Sequence, residues 1–167
     1  MTTPPPDAEA GLRLNRFADQ VSAFGLAISY LMGKPAFQGL PFGHWAQTIA
    51  GQINRNHYVF ACRGETVVGF AGWAFASVEE AEAWLTEDPG ASAGGDAGPC
   101  LIINCWAVDL PEAHQLLRDQ IRIIGRDSQT VYAKRRYENG RIRPLRLGVN
   151  AFIGAHIEAA QARRGGT

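Results

Sequence analysis

Net charge is the first thing this 167-residue chain lacks: 16 Lys and Arg balance 16 Asp and Glu, and the pI is about 6.9. With no excess of either sign there is no global electrostatic case for nucleic acid or for an anionic membrane surface, so any charged surface must be local. Cysteine is scarce as well. Cys62, Cys100 and Cys105 sit inside apolar strand patterns without the paired spacing of a zinc site. That usage points to buried thiols in a reducing, cytoplasmic setting, with a reactive Cys105 as the alternative. No apolar run is long enough to span a bilayer. The first ten residues are Pro- and Thr-rich rather than basic then apolar, unlike a signal peptide.

What is present is a core. At 46% hydrophobic content the chain can bury one domain without disulfides or metal. The clearest local signal is Asn56 to Ala74. Two apolar, aromatic and β-branched runs, Tyr58 to Cys62 and Thr66 to Trp73, flank Arg63-Gly64-Glu65 and predict a hairpin with a short glycine-containing turn. Before it, apolar residues at spacings of three and four (Phe17, Val21, Phe24, Ile28, Leu31) predict a helix within Leu12 to Met32. A turn follows over Gly33 to Leu40. Phe42, Trp45, Ile49 and Ile53 then predict a second helix over Pro41 to Ile53.

After the hairpin, Ser77 with Glu80 three residues on reads as a capping box for a helix over Val78 to Leu85. Thr86 to Pro99 has no apolar periodicity and reads as a mobile surface loop, either a linker or a lid. Cys100 to Val108 is almost continuously apolar, as a strand buried on both faces should be. Asn104 alone breaks it, and a buried amide there must order the core or serve a site. Helix from Pro111 to Ile124, a β pattern from Thr130 to Leu147 turning at Asn139-Gly140, and a short helix over Val149 to Ala160 complete the chain. The plan is α/β: a mixed, mainly antiparallel central sheet flanked by helices, in one domain over 12–160 between a disordered leader (1–11) and a flexible tail (161–167).

Several stretches together carry a resemblance. They are Gly25-Leu26 to Tyr30-Leu31, Leu40-Pro41, Asn56-His57-Tyr58, Val67 to Ala74 with the acidic helix after it, and the strand Leu101 to Ala107. In order and spacing they resemble the toxin-activating lysine acyltransferases of RTX toxin operons, a divergent branch of the GNAT superfamily. The resemblance runs from Leu26 to about Gly148. It implies a GNAT-like fold and transfer of a fatty acyl group from acyl carrier protein to the ε-amine of a lysine, with no permanently bound cofactor and no metal. It also implies a catalytic histidine in a Ser-Pro-x-His turn and an aspartate in the strand Leu101 to Ala107. This chain departs at both: Lys34-Pro35-Ala36-Phe37 stands where the turn belongs, and Asn104 replaces the aspartate.

Chemistry can survive the departure. A lysine amine with a solution pKa of ~10.4 carries a deficit of roughly 4 to 5 kcal/mol for direct attack at pH 7. A positioned base contributes about 10² to 10⁴ in rate, whereas aligning amine and thioester supplies effective molarities of roughly 10⁵ to 10⁸ M. Placement outweighs the base. His44 is the candidate substitute base, with a helix-face histidine beside Trp45 as the competing reading, and Asn104 is its candidate partner or a ligand for the amide product. His57, at a strand start, reads as structural; His114 and His156 read as surface residues on helices.

For the donor, Phe37, Trp73 and Trp106 are candidate acyl-binding side chains. Arg135, Arg136 and Arg143, in the basic ribbon from Lys134 to Arg146, are candidates for docking an acidic carrier protein. Acyl-CoA is the less suited donor, because Asp109, Pro111 and Glu112 occupy the place where a GNAT loop cradles pyrophosphate. The acceptor is expected to be a lysine or ornithine side chain of a protein or ribosomal peptide, and a homodimer is an open possibility. The contrasting class is a catalytically degenerate protein that only binds a carrier or a peptide.

Overall fold

The computed structural model describes residues 11–86, 94–137, 139–149, 158–159 and 161–165. The leader 1–10, loop residues 87–93, most of the expected closing helix, and His156 lie outside the described residues.

One six-stranded sheet runs in the order β1-β2-β3-β4-β5-β6. Its strands are β1 (Leu12–Asn15), β2 (Tyr58–Arg63), β3 (Thr66–Ala76), β4 (Cys100–Val108), β5 (Thr130–Arg136) and β6 (Ile142–Gly148). All neighbours are antiparallel except β4 and β5, which are parallel and joined by a helical crossover. The helices are α1 (Gln20–Leu31), α2 (Pro35–Gln38), α3 (Phe42–Asn54), α4 (Val78–Thr86) and α5 (Pro111–Ile124). This is the mixed, mainly antiparallel, GNAT-like arrangement expected from the sequence.

Each face of the sheet has its own core. On one, α1 and α3 cover Tyr58, Phe60, Phe70, Cys105 and Ala107, with Leu31, Phe37, Trp45, Ile49 and Ile53 packed down on them. On the other, α5 places Ala113, Leu117 and Ile121 against Val59, Ala61, Ala71, Trp73 and Leu101. A third cluster under α4 joins Ala81 and Leu85 to Cys100, Ile102 and Tyr132. All three cysteines are free and buried, and burial pushes the Cys105 thiol well above its usual range, so it stays protonated.

The local signals acted as physics requires. Gly64 takes φ 59° in the two-residue turn between Arg63 and Thr66. Ser77 Oγ accepts from the Glu80 N–H at 3.1 Å while Glu80 Oε2 accepts from the Ser77 N–H at 2.8 Å, a reciprocal capping box on α4. At the end of α3, Asn56 takes φ 56°; its N–H donates to Ile53 O, and the next N–H, of His57, donates to Gln52 O at 2.8 Å. That six-to-one closure is a Schellman ending, and it throws the chain directly into β2.

Several expectations need correction. The segment from Leu12 is not helical throughout: Leu12-Arg13-Leu14-Asn15 alternates and pairs with the free side of β2 (Leu12↔Arg63), and the helix begins only after Asp19, whose side chain caps Ser22 N. α1 buries Ala23, Ala27 and Leu31, leaving Val21 79% exposed. The turn 33–40 contains the short helix α2. Phe42 is exposed and meets Trp45 only edge-on. α5 does start at Pro111, as expected, with Leu110 as its N-cap residue.

Part of the loop expected to be mobile is built into the sheet. Gly95 exchanges both backbone hydrogen bonds with Phe75, at 2.7 and 3.0 Å. Gly94 and Gly98, with φ 56° and 147°, lie so close to Phe75 and Ala76 that a Cβ at either would overlap backbone. The final hairpin turn also differs. Of Asn139 and Gly140 only Gly140 takes a positive φ (80°), its N–H donates to Tyr137 O, and Asn139 Oδ1 accepts from Arg141 N. Three residues therefore separate the closing pair Tyr137 and Arg141, the turn-plus-glycine-bulge pattern rather than a two-residue turn.

Candidate functional site

The site is built around Asn104. Along β3 and β4 the register passes from Gly72↔Cys105 to Trp73↔Ile103, which leaves Asn104 as the extra residue of a β-bulge. Pairing of β4 with β5 stops at Ile103↔Ala133, one residue before that bulge. From Asn104 onward the two parallel strands part, and the end of β4 is free of β5. Bulge and parting coincide, producing a notch in the middle of the sheet with unpaired strand edge on its walls.

Asn104 is partly buried, and among the described residues its side chain has one hydrogen-bond partner. Gln52, in the last turn of α3 and fully buried, donates from Nε2 to Asn104 Oδ1. Room for the Gln52 amide exists because residue 72 is glycine: a Cβ there would overlap Gln52 Oε1, Cδ and Nε2. Gln52 Oε1 is itself buried with no hydrogen-bond partner. Leaving an acceptor unsatisfied costs about 1–3 kcal/mol, so this amide pair is held at some expense.

Around the notch stand two further groups. At the far end of β4, Asp109 Oδ1 takes a 2.6 Å salt bridge from Lys34 Nζ, which also lies 4.2 Å from the centroid of the Tyr30 ring. Burial, reinforced by the Asp109 charge, holds the Tyr30 phenol well above its usual range. This contact clasps the α1–α2 corner to the β4–α5 corner. On the α5 face, Trp106 packs edge-on against His114 with centroids 5.5 Å apart. Burial, with the Arg118 charge, lowers the His114 pKa.

The residues singled out in the sequence are divided by the fold. Phe37 is buried in α2 against Trp45 (5.5 Å between centroids), so the turn that resembles the histidine turn is closed by an aromatic contact. His44 is exposed in the first turn of α3, two turns, or roughly 12 Å along the helix, from Gln52. It does not touch Asn104. Trp73 is 2% exposed on the α5 side, between Arg16 (5.6 Å over its ring) and His57 (6.1 Å, stacked), and is thus part of the core. Trp106 is partly exposed on that same side. His57 is held below its usual pKa, first by burial and then by Arg55, and its Nδ1 has no hydrogen-bond partner.

The basic ribbon is unevenly occupied. Arg146 is spent on Glu82, with contacts of 2.8 and 2.6 Å, and Tyr132 OH donates to the same carboxylate at 2.9 Å. Lys134 lies 4.7 Å over the Trp84 ring. Arg135 and Arg143 are directly opposite each other in register and both are exposed; Arg136 is exposed beside them. Like charges placed directly across a strand pair repel. Strand alternation places Arg135 and Arg143 on the face of Val131 and Trp106.

Sequence reasoning missed Gln52, whereas His114 is the exposed helix residue it was read to be. Gln52 lies on the apolar side of α3 next to Ile53 and Ile49, and a polar residue in that stripe was the available signal. His114 sits one turn into the helix that follows the notch strand. The two described clefts, of about 210 and 290 Å³, flank β1 and do not include Asn104. Among the described residues no cluster of three or more His, Cys, Asp or Glu is placed to hold a metal, and no helix is long and apolar enough to cross a membrane. Compared with protein-family models and with curated proteins, the chain matches none.

Proposed function

We propose that this protein is an N-acyltransferase that moves a fatty acyl group from an acyl-carrier-protein thioester to a lysine or ornithine side-chain amine of a protein or ribosomal peptide. The observation that carries the reading is the notch: β4 and β5 separate one residue past Ile103, where Asn104 bulges. An extended pantetheine arm laid there meets unpaired backbone donors and acceptors, and its thioester comes to rest against the Asn104 amide.

Two features favour a carrier protein over free acyl-CoA. The N-terminus of α5, which would face a pyrophosphate, has Glu112 in its first turn, Pro111 in place of a donor, and the Asp109 carboxylate beside it. Among the described residues the exposed Arg135, Arg136 and Arg143 have no carboxylate partner, and an acidic carrier helix relieves the repulsion between Arg135 and Arg143. Direct attack by the amine needs no enzyme nucleophile, consistent with the buried, protonated Cys105. His44, solvent-exposed on α3, is the proposed base and reaches the amine through water or when the acceptor binds.

The test is purified protein incubated with carrier protein charged with acyl chains of several lengths and with lysine- or ornithine-bearing clients. The expected result is a client heavier by one acyl group, formed about 10²- to 10⁴-fold more slowly by His44→Ala. Phe37, sealed against Trp45 where the resemblance calls for a histidine, favours the second reading, a carrier- or peptide-binding protein without turnover. That reading predicts tight binding of acyl carrier protein and no mass change in any client.

A further inference from the structure

A hydrogen-bonded amide pair has a direction, and here the direction has a chemical consequence. Gln52 gives its Nε2 hydrogen to Asn104 Oδ1, so the acceptor atom of Asn104 is occupied. The Asn104 Nδ2 group makes no hydrogen bond within the described residues. It belongs to a bulge residue at the first position where β4 is free of β5. Gln52 has little freedom to let go, being fully buried and fitted into the space above Gly72.

From this we infer that Asn104 serves as a hydrogen-bond donor to the acyl carbonyl oxygen, and that Gln52 is the positioning residue that keeps its N–H groups turned toward the notch. The inference rests on the acyl-transfer reading above and names how that site stabilises its transition state. When the amine nitrogen attacks the thioester carbon, a C–N bond forms and the carbonyl π electrons move onto oxygen. That oxyanion is where Asn104 Nδ2 donates. Collapse re-forms the carbonyl and breaks the C–S bond, the electron pair leaving on sulfur; the thiolate then takes the surplus amine proton to give free pantetheine thiol. Nothing is oxidised or reduced.

An aspartate at this position would have no hydrogen to give when ionised, and in that form a carboxylate repels the developing oxyanion. A donor role and an acceptor role thus predict opposite outcomes for one conservative change. The experiment compares wild type, Asn104→Asp and Gln52→Met, a volume-conserving change, in acyl transfer and in infrared spectra of bound carrier protein bearing a ¹³C-labelled thioester carbonyl. Thermal melts check folding.

Expected are a fall in kcat of about 10²- to 10³-fold for Asn104→Asp with KM little changed, and a carbonyl band shifted to lower frequency in wild type but not in Asn104→Asp. Gln52→Met should lose about tenfold in kcat and broaden that band, as a donor free to rotate would. If Asn104→Asp transfers as fast as wild type while wild type acylates clients, the donor role is wrong and the acyltransferase reading stands. If Gln52→Met keeps wild-type kcat and a wild-type band, the positioning role is wrong. If wild type neither transfers nor binds the acylated carrier, both readings fall. Binding without transfer, with a shifted band that Asn104→Asp abolishes, supports the donor assignment inside a protein that does not turn over.

Discussion

Gly72 and Gln52 share a volume that only one of them can fill, and their fit fixes where α3 lies on the sheet. Gly72→Ala is expected to destabilise the fold by about 1–3 kcal/mol, since the new methyl overlaps a buried side chain with no exit. The double variant Gly72→Ala/Gln52→Ala is expected to recover part of that loss. Urea titrations of the four proteins of the cycle measure it; an additive double variant would show that the two residues do not compete. None of this was readable beforehand. Asn104 drew attention as the one polar residue in an apolar strand, but its partner is 52 residues away, and a bulge is a property of two strands in register rather than of one sequence.

Elements whose cause is local were legible. The β2–β3 hairpin followed from the two apolar runs flanking Gly64, and α4 followed from Ser77 and Glu80, whose reciprocal bonds are both present. Ser77→Ala is expected to cost about 0.5–2 kcal/mol in thermal or denaturant unfolding, with Ser77→Asp close to wild type. β1 was not legible, because four alternating residues acquire meaning only from the open side of β2. α4 carries a second tie. The Arg146 guanidinium, then the Tyr132 hydroxyl, hold the Glu82 carboxyl down to about 2 from its ordinary 4.5.

A carboxyl depressed in the folded state lends stability above its unfolded pKa and loses it as pH falls toward the folded value. The tie of β6 to α4 is therefore intact above pH ~4.5 and weakens progressively toward pH ~2. Protection of the β6 amides against hydrogen exchange, relative to an unstructured chain at the same pH, should fall across that window in wild type. In Glu82→Gln the same amides should be less protected above pH ~4.5 and lose the acid-dependent step; a profile unchanged by Glu82→Gln would remove the tie from consideration.

For the whole molecule, the succession of helix and strand patterns carried the class: an α/β fold with a sheet cored on both faces. What neutrality in the total concealed is the placement of charge, with acids at the start of α5 and, on the β5–β6 arm, arginines that no described carboxylate opposes. Arg135→Glu/Arg143→Glu is expected to weaken association with an acidic carrier protein by about tenfold at low salt, and to flatten the salt dependence of the remainder. Surface plasmon resonance across a salt series reads both, and melting curves should match wild type, since among the described residues no carboxylate loses a partner.

The β5–β6 arm is fastened on α4 by Tyr132 and Arg146 on Glu82 and by Lys134 over Trp84, while its arginine-bearing end projects past those contacts. Such a ribbon behaves as a handle bolted at its base. Its tip lettering can be rewritten by mutation with almost no tax on folding while the amide pair at the centre stays as it is.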